Sequence, residues 1–252
     1  MKAARQSGLK IMLDGQGGDE SVLGYERYYA AYFWHLIRGG QPLKLTREFR
    51  LAAENSRLNL KILALYNAYF LCSGLRASVL RRRARFLRPE NIDDALEQLR
   101  AIRANFLDLR DLQTAEIMVT RLPHLLRYED RTSMAHSIEA RVPFVDQACI
   151  GSAVAMSPRD KIREGYTKFA LRGLADQLLP ETVAWRREKS GFEAPDEIWY
   201  SRHREHMQET VDQSPMVAAL AHDRPRLEKL TGDLSWRLYN LAAWERIYNA
   251  EI

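Results

Sequence analysis

A short apolar run closed by a glycine-rich turn constrains the fold of this chain more than any other feature. Leu9 to Leu13 (LKIML) is typical of a strand buried on both faces, the pattern of parallel sheets. One such strand cannot form a sheet, because its backbone donors and acceptors need neighbours on both sides. We therefore expect partner strands from elsewhere, as in the C-terminal portion of a larger α/β protein. The alternative is an all-helical domain in which this run is a stray extended segment.

The remainder of the sequence has the periodicity of amphipathic helices. Apolar residues recur at spacings of three and four in seven segments, and no second convincing strand follows. The predicted helices are Tyr28 to Arg38, Leu43 to Asn55, Leu58 to Leu71, Leu112 to Leu126, Val145 to Met156, Thr167 to Leu178 and Leu234 to Tyr248. A mainly helical fold with one short strand is therefore expected.

The cationic residues of the chain are mostly arginine. The net charge is +5, and 30 of the 38 cationic residues are arginine, the side chain that best binds phosphate and carboxylate. Such a composition suits a nucleic acid, a nucleotide or an anionic metabolite as partner. The densest cluster lacks interleaved aromatic residues and a nucleic-acid motif, so we interpret it as a solvated helix face. It comprises Arg76, Arg81, Arg82, Arg83, Arg85 and Arg88.

The sequence contains no long hydrophobic segment. The longest apolar run, Tyr28 to Trp34, is seven residues, whereas roughly 18–20 are needed to cross a bilayer. The N-terminal residues also lack the apolar stretch of a secretory signal. We therefore expect no membrane span and a cytoplasmic location.

The turn after the apolar run is the first candidate site. Its residues, Asp14-Gly15-Gln16-Gly17-Gly18-Asp19-Glu20, stand between a strand and a helix, the layout of a nucleotide-binding loop. Asp14, Gly15, Gln16, Gly17 and Gly18 would pass the nucleotide, and Asp19 would bind Mg²⁺, which prefers carboxylate oxygens. The alternative is a tight turn in which Asp19 and Glu20 are helix-capping acids. In either case Asp19 is predicted at a helix N-terminus.

The second candidate site is a polar segment among core-type residues, Leu122 to Asp146. Burying its charged side chains is costly unless they pair or contact a ligand. They include Arg127, Glu129, Asp130, Arg131, His136, Glu139 and Arg141. A structural network of arginine–carboxylate pairs is the alternative, and His136 alone is more typical of a packed histidine.

The third candidate site is basic. Lys168 and Arg172 are four residues apart, which predicts one helix face, and Lys189 precedes a Ser190-Gly191 turn suited to a pyrophosphate. A surface basic helix and an ordinary turn are the alternative.

In order and wording these three blocks resemble the synthetase domain of the asparagine synthetase family. The matching motifs are LDGQGGDE followed by GY, DRTSMAHSIEARVPFVD, and KFALRGL followed by LPETVAWRREKSGFEAP, within Leu9 to Tyr28 and Leu122 to Tyr200. The resemblance implies the helical C-terminal portion of an α/β adenine-nucleotide-hydrolase-like domain, with one short parallel-type strand. It also implies amidation of aspartate by Mg-ATP through β-aspartyl-AMP, with ammonia released from glutamine by a separate N-terminal domain.

The resemblance also implies roles for individual residues. Asp19 matches the Mg²⁺-binding carboxylate, and Lys189 matches the lysine that meets the phosphates. Lys168 and the loop Asp14 to Gly18 lie on the nucleotide side. The residues that match the substrate-side wall, and with Lys189 form the candidate catalytic set, are Asp130, Arg131, Glu139 and Arg141. The function therefore requires Lys189, Asp19 and part of Asp130 to Arg141 to converge on one cleft.

Three departures from the family limit this assignment. Gln16 replaces a glutamate found in many members, and an amide cannot act as a base. The sequence also has no Ser-Gly-Gly-x-Asp-Ser pyrophosphate loop and no N-terminal cysteine after Met1. Residues 1–252 are thus interpreted as the C-terminal part of the synthetase domain, with the remainder of the synthetase and the glutaminase as missing partners.

Two other interpretations of the function stay open. A β-lactam synthetase-like amidotransferase would use the same adenylation before a different nucleophile. A non-catalytic fragment or interaction module would keep the helical scaffold without activity.

Overall fold

The computed structural model describes residues 1–187 and 195–250, and within them all side chains except those of 99–105 and 196–197. Over these residues the chain is mainly helical, as the sequence predicts, with two short strands. The elements are α1 Lys2–Gln6, β1 Ile11–Leu13, α2 Gly18–Ser21, α3 Tyr28–Arg38, α4 Pro42–Asn55, α5 Leu60–Leu71, α6 Ser73–Arg83, α7 Pro89–Phe106, α8 Leu109–Ala115, α9 Leu122–Met134, β2 Glu139–Arg141, α10 Gln147–Ala155, α11 Pro158–Lys161, α12 Phe169–Ala175, α13 Glu181–Ala184, α14 Asp196–Asp212, α15 Pro215–Leu220 and α16 Gly232–Tyr248.

The chain divides into two compact units. The first comprises residues 1–72 and 101–189, and the second comprises residues 73–100 and 190–252. Every candidate site residue of the sequence falls within the sequence limits of the first unit.

The core of the first unit is built around α3. This helix is apolar on most of its surface and buries Tyr28, Tyr29, Tyr32 and Phe33. It packs against α4, α5 and α8, so aromatic side chains fill the space between four helices. A helix that is apolar nearly all round is stable only when surrounded in this way. The helix fixes the position of Gly24 and Tyr25, which precede it.

The sheet corrects two expectations from the sequence. The strand at Ile11–Leu13 is present, but β2 pairs with it in parallel, with Ile11 opposite Glu139, although no second strand was predicted. The predicted burial on both faces is also wrong, because Leu13 is 74% exposed and Ile11 is 45% exposed. β1 has one neighbouring strand among the described residues, and the side chains of Ile11 and Leu13 stay largely uncovered by this part of the chain.

A π-helical turn corrects the predicted helix Leu112 to Leu126. The segment is instead α8, then a π-helical turn at Glu116–Thr120, then α9. The π-helical turn continues α8 directly, and a bend at Arg121 separates it from α9. Glu116, the first residue of this turn, is buried.

The second unit has its own core, formed by α14, α15 and α16. Met207, Val211, Val217, Leu227 and Leu238 are buried there. Most of the predicted arginine cluster is solvated as expected, but Arg76 on α6 is only 6% exposed.

No single helix among the described residues has the length and apolar character to cross a membrane. Among these residues, only α5 and α6 taken together are long and apolar enough, and they are bent by 96° at the break between them.

Candidate active site

The glycine-rich loop joins the carboxyl end of β1 to α2. Gly17 has a φ of +87° at the helix N-terminus, and a Cβ there would lie 2.7 Å from a methyl group of Val145. The Asp14 carboxylate accepts the Gln16 N–H at 2.8 Å, while the Asp14 N–H donates to the Arg141 carbonyl at 2.8 Å. The loop is therefore held to β2 as well as to its own strand.

Asp19 lies in the first turn of α2, at the helix N-terminus predicted from the sequence. Its Oδ1 is 2.8 Å from the Nζ of Lys168, and the two side chains are 20% and 29% exposed. A carboxylate here also complements the positive end of the helix dipole. The ion pair brings the first and third candidate sites together.

The pair lines a cleft of about 580 Å³ in the first unit. Carboxylates reach the cleft wall at Asp19 and Glu26, whereas cations are more numerous. They are Lys168 and the arginines Arg27, Arg57, Arg121, Arg172, Arg186 and Arg187. Even when Glu20 and Glu116, the buried partners of Arg121 and Arg27, are counted, seven cations face four carboxylates. A concave site with this excess of cations attracts an anionic ligand, and its volume suits a small molecule.

The prediction that Lys168 and Arg172 lie on one helix face is wrong, although both residues reach the cleft. Lys168 precedes α12 and has a left-handed backbone with a φ of +55°, so it is outside the helix. The Arg172 side chain lies on α12 and donates hydrogen bonds to backbone carbonyls outside that helix. Both side chains still line the same cleft. Left-handed backbone is uncommon for a lysine and costs roughly 1–2 kcal/mol.

The residues of the second candidate site lie elsewhere in the first unit. Asp130 and Arg131 are exposed on α9, while Glu139 and Arg141 on β2 pair with each other at 2.8 Å and are 59% and 57% exposed. Among the described residues, none of Asp130 to Arg141 lines the cleft. Their roles stay predictions.

Lys189 lies outside the described residues, and so do Ser190 and Gly191. The predicted convergence of Lys189 with Asp19 is therefore untested by the structure. The described chain does bring Arg186 and Arg187, which precede Lys189, to the cleft wall.

Sequence reasoning missed a buried ionic network beside the cleft. Glu116 accepts a hydrogen bond from Arg27 at 2.7 Å and another from the Tyr28 hydroxyl. Burial, the main cause, raises the pKa of Glu116, while the charge of Arg27 opposes the shift. The charge of Arg27 therefore favours the ionised form of Glu116. No local pattern could predict this pair, because its members are distant in sequence.

A second buried carboxylate extends the network. Glu20 is 1% exposed, accepts a hydrogen bond from the Tyr25 hydroxyl at 2.7 Å and lies 3.7 Å from the Nε of Arg121. The guanidinium groups of Arg27 and Arg121 lie 4.7 Å and 4.3 Å from the Tyr25 ring centroid. Tyr25 thus contacts two guanidinium groups, and its burial raises the pKa of its hydroxyl. Glu20 does more than cap a helix, since it anchors this wall of the cleft.

The donor set at Asp19 fits a magnesium ion carried by a nucleotide. The described residues contain no group of three or more His, Cys, Asp or Glu side chains that could hold a metal. Mg²⁺ usually keeps several waters and is bound through one or two carboxylates plus substrate phosphates. A single carboxylate is compatible with that mode of binding and not with a dedicated metal cage. The ion would have to displace the Lys168 ammonium from Oδ1 of Asp19.

Comparison with known proteins identifies the relationship. The profile of the asparagine synthase family matches residues 1–247. The asparagine synthetase (glutamine-hydrolyzing) 1 of Bacillus subtilis is 29% identical over 119 residues, 47% of this chain and 19% of the relative. The human asparagine synthetase (glutamine-hydrolyzing) is 29% identical over 96 residues, 36% of this chain and 17% of the relative.

A third relative covers more of the chain. The putative asparagine synthetase (glutamine-hydrolyzing) of Mycobacterium tuberculosis is 26% identical over 205 residues, 76% of this chain and 30% of the relative. The chain therefore spans less than a third of the length of these relatives. No solved structure matches it.

Proposed function

The chain belongs to the asparagine synthase family, and on that premise we propose that it takes part in the ATP-dependent amidation of aspartate to asparagine, as a ligase acting through β-aspartyl-AMP. The observation that carries this proposal is the Asp19–Lys168 pair at the wall of a cation-rich cleft. The relatives named above, all asparagine synthetases, support the choice of substrate.

The charge of the cleft suits the adenylation step. A carboxylate that attacks the α-phosphorus of ATP meets a strongly anionic group, and pyrophosphate leaves as another anion. Fixed cations placed where that charge develops stabilise the transition state. Lys168, Arg186 and Arg187 line the cleft and supply such cations, and Lys189 is proposed to join them.

Cofactor binding is proposed beside the cleft, whose wall includes Asp19 but none of the residues Asp14 to Gly18. The loop Asp14 to Gly18 would pass the nucleotide, and Asp19 would bind the magnesium ion of Mg-ATP. When bound, the ion neutralises phosphate charge and orients the leaving pyrophosphate. The candidate substrate-side residues remain Asp130, Arg131, Glu139 and Arg141, on the strength of the family resemblance alone.

The cytoplasmic location stays a prediction. We also propose that the chain works with further synthetase and glutaminase segments. Two observations support this: the sequence has no Ser-Gly-Gly-x-Asp-Ser loop, and Leu9, Ile11 and Leu13 of the β1 region are 50%, 45% and 74% exposed. Apolar strand residues of this kind are normally covered.

An isotope-transfer experiment tests the function. The complete protein, expressed from its genomic reading frame with any adjacent upstream frame, is incubated with Mg-ATP, ammonia and aspartate labelled with ¹⁸O in the side-chain carboxylate. The proposal expects asparagine, pyrophosphate and AMP that carries one ¹⁸O atom, because the carboxylate oxygen stays on phosphorus when ammonia displaces AMP. Label in inorganic phosphate with formation of ADP would contradict adenylation. Absence of asparagine would contradict the function itself.

A further inference from the structure

One arginine side chain ties together two backbone segments at the cleft. From α12, Arg172 donates through Nε to the Thr167 carbonyl at 2.8 Å and through Nη1 to the carbonyls of Ala184 and Arg186 at 2.9 and 3.0 Å. Its guanidinium also lies 5.2 Å from the Tyr166 ring centroid. Only the planar guanidinium fork presents several donors in fixed directions, so this bridge is specific to arginine.

Both bridged segments carry cations of the cleft. Thr167 directly precedes Lys168, whose left-handed backbone aims the side chain at Asp19. The other segment contains Arg186 and leads to Arg187, and both line the same cleft. The backbone carbonyls that accept hydrogen bonds from Arg172 therefore lie no more than two residues in sequence from a cleft cation. These cations are Lys168, Arg186 and Arg187.

We infer that Arg172 is a positioning residue for anion binding, which holds Lys168 and the Arg186 segment where they together receive the phosphate groups of the ligand. This inference rests on the proposed function, which supplies a nucleotide as the anion. Burial lowers the pKa of Arg172, the expected effect for a guanidinium that faces protein more than solvent.

The segment around Ala184 and Arg186 has a second anchor, so the chain should stay folded when the hydrogen bonds of Arg172 are lost. The Trp185 Nε1 donates to the Asp176 carboxylate at 2.8 Å, and the Trp185 ring lies 5.1 Å from the Tyr166 ring and 5.7 Å from the Phe169 ring. A variant at Arg172 is therefore expected to loosen the segment locally, without unfolding α12 or α13.

The test compares Arg172→Lys with Arg50→Lys. The first variant keeps the charge but offers one compact ammonium in place of the fork. Arg50 on α4 is the matched control, since it is 71% exposed, its Nε pairs with Glu54 at 3.6 Å, and it does not line the cleft. Amide hydrogen exchange of residues 180–187 measures the bridge, and calorimetric titration with magnesium pyrophosphate measures anion binding.

The expected result is faster exchange in residues 180–187 of Arg172→Lys, together with an affinity for magnesium pyrophosphate weakened by at least about tenfold. Arg50→Lys should change neither. Faster exchange with unchanged affinity would reduce Arg172 to a structural brace and overturn the inference. Weaker affinity without faster exchange would make it a direct ligand and overturn the positioning role.

A further measurement on the unmodified chain keeps the inference testable if Arg172→Lys does not fold. Bound magnesium pyrophosphate should slow exchange both around Lys168 and in residues 180–187. Slowing in one segment alone would contradict joint positioning. If the unmodified chain binds no magnesium pyrophosphate while Arg172→Lys still shows faster exchange, the bridge exists but the proposed function, and the positioning role with it, fails.

Discussion

The ammonium of Lys168 meets the carboxylate of Asp19 directly over the backbone of Gly24. The Nζ to Oδ1 distance is 2.8 Å, and a Cβ on residue 24 would lie 2.0 Å from Oδ1 of Asp19 and 2.2 Å from Cε of Lys168. The ion pair therefore requires the absence of a side chain at position 24. The glycine of the GY motif is explained by contact with these two side chains.

Gly24→Ala should abolish the ion pair while the protein stays folded. The displaced atoms are the ends of two flexible, partly exposed side chains, so the free energy of unfolding should fall by about 1 kcal/mol or less. The affinity for magnesium pyrophosphate should also fall, because the Cβ displaces both charged side chains from their positions at the cleft wall. Gly173→Ala on α12 is the control, because a Cβ there meets nothing within 4 Å. Equal affinities of the two variants would contradict the account.

Gly165→Ala, unlike Gly24→Ala, should greatly lower the free energy of unfolding. Gly165 has a φ of +73°, and a Cβ would lie 2.1–2.4 Å from backbone atoms of Leu51 and Ala52. Backbone cannot move aside as a side chain can, so we expect a loss of about 3 kcal/mol from the left-handed strain and the clash together.

Gly8→Ala separates these two causes. Gly8 also has a positive φ, +77°, but nothing lies within 4 Å of its Cβ position. It should lose only about 1 kcal/mol in chemical denaturation. A similar loss at both positions would mean that the contact with Leu51 is absent.

The buried Lys161 predicts a dependence of stability on pH. Lys161 is 4% exposed, donates to the Gln113 side-chain oxygen at 2.7 Å, and has a pKa that burial, with help from the charge of Arg110, lowers to about 8. Between pH 8 and about 10.5 the unfolded chain binds this proton and the folded chain has released it. The free energy of unfolding should therefore rise with pH across that window, by up to about 3 kcal/mol.

Lys161→Met should remove this pH dependence. Denaturant titrations at pH 8 and pH 10.5 would give the difference between the unmodified chain and the variant at each pH. Lys61→Met, at an exposed position of α5, is the control and should run parallel to the unmodified chain. If Lys161→Met also runs parallel, the lysine is solvated in the folded state.

The 252 residues alone should not make asparagine. They lack the pyrophosphate loop, and each lost transition-state donor typically costs about 2.7–4 kcal/mol. Incubation with Mg-ATP, aspartate and ammonia, followed by assays for AMP, pyrophosphate and asparagine, should detect no product. Turnover comparable to that of a full-length relative would show that the loop is dispensable.

Local periodicity predicted α3, α4, α5 and α16 to within two residues at each end, but it missed α6, α7, α14 and α15. The predicted segment Tyr28 to Arg38 coincides with α3, because its apolar residues continue until a Gly-Gly pair ends the helix. The prediction Leu112 to Leu126 was wrong at the π-helical turn, for which the apolar spacing carries no signal. β2 was missed because its strand, Glu-Ala-Arg, is polar and is defined only by pairing with β1.

The parts of the candidate site that could be predicted are those whose residues are close together in the sequence. The strand, the glycine turn and the first helical turn place Asp19 from sequence alone. Its contact with Lys168 and the burial of Glu20 and Glu116 depend on residues distant in sequence, which a single sequence does not reveal. The signature segment Asp130 to Arg141 matched the family best, yet its described residues lie outside the cleft.

The most direct measurement of the central claim is calorimetric titration of the chain with magnesium pyrophosphate, alongside Asp19→Asn and Lys168→Met. The account predicts saturable binding to the unmodified chain. A charge-assisted hydrogen bond contributes about 1.5–3 kcal/mol, so Lys168→Met should bind about 10- to 100-fold more weakly. Asp19→Asn should lose the dependence of binding on magnesium. Equal affinity of all three proteins, or no binding to the unmodified chain, would contradict the assignment of this cleft to the phosphates of a nucleotide.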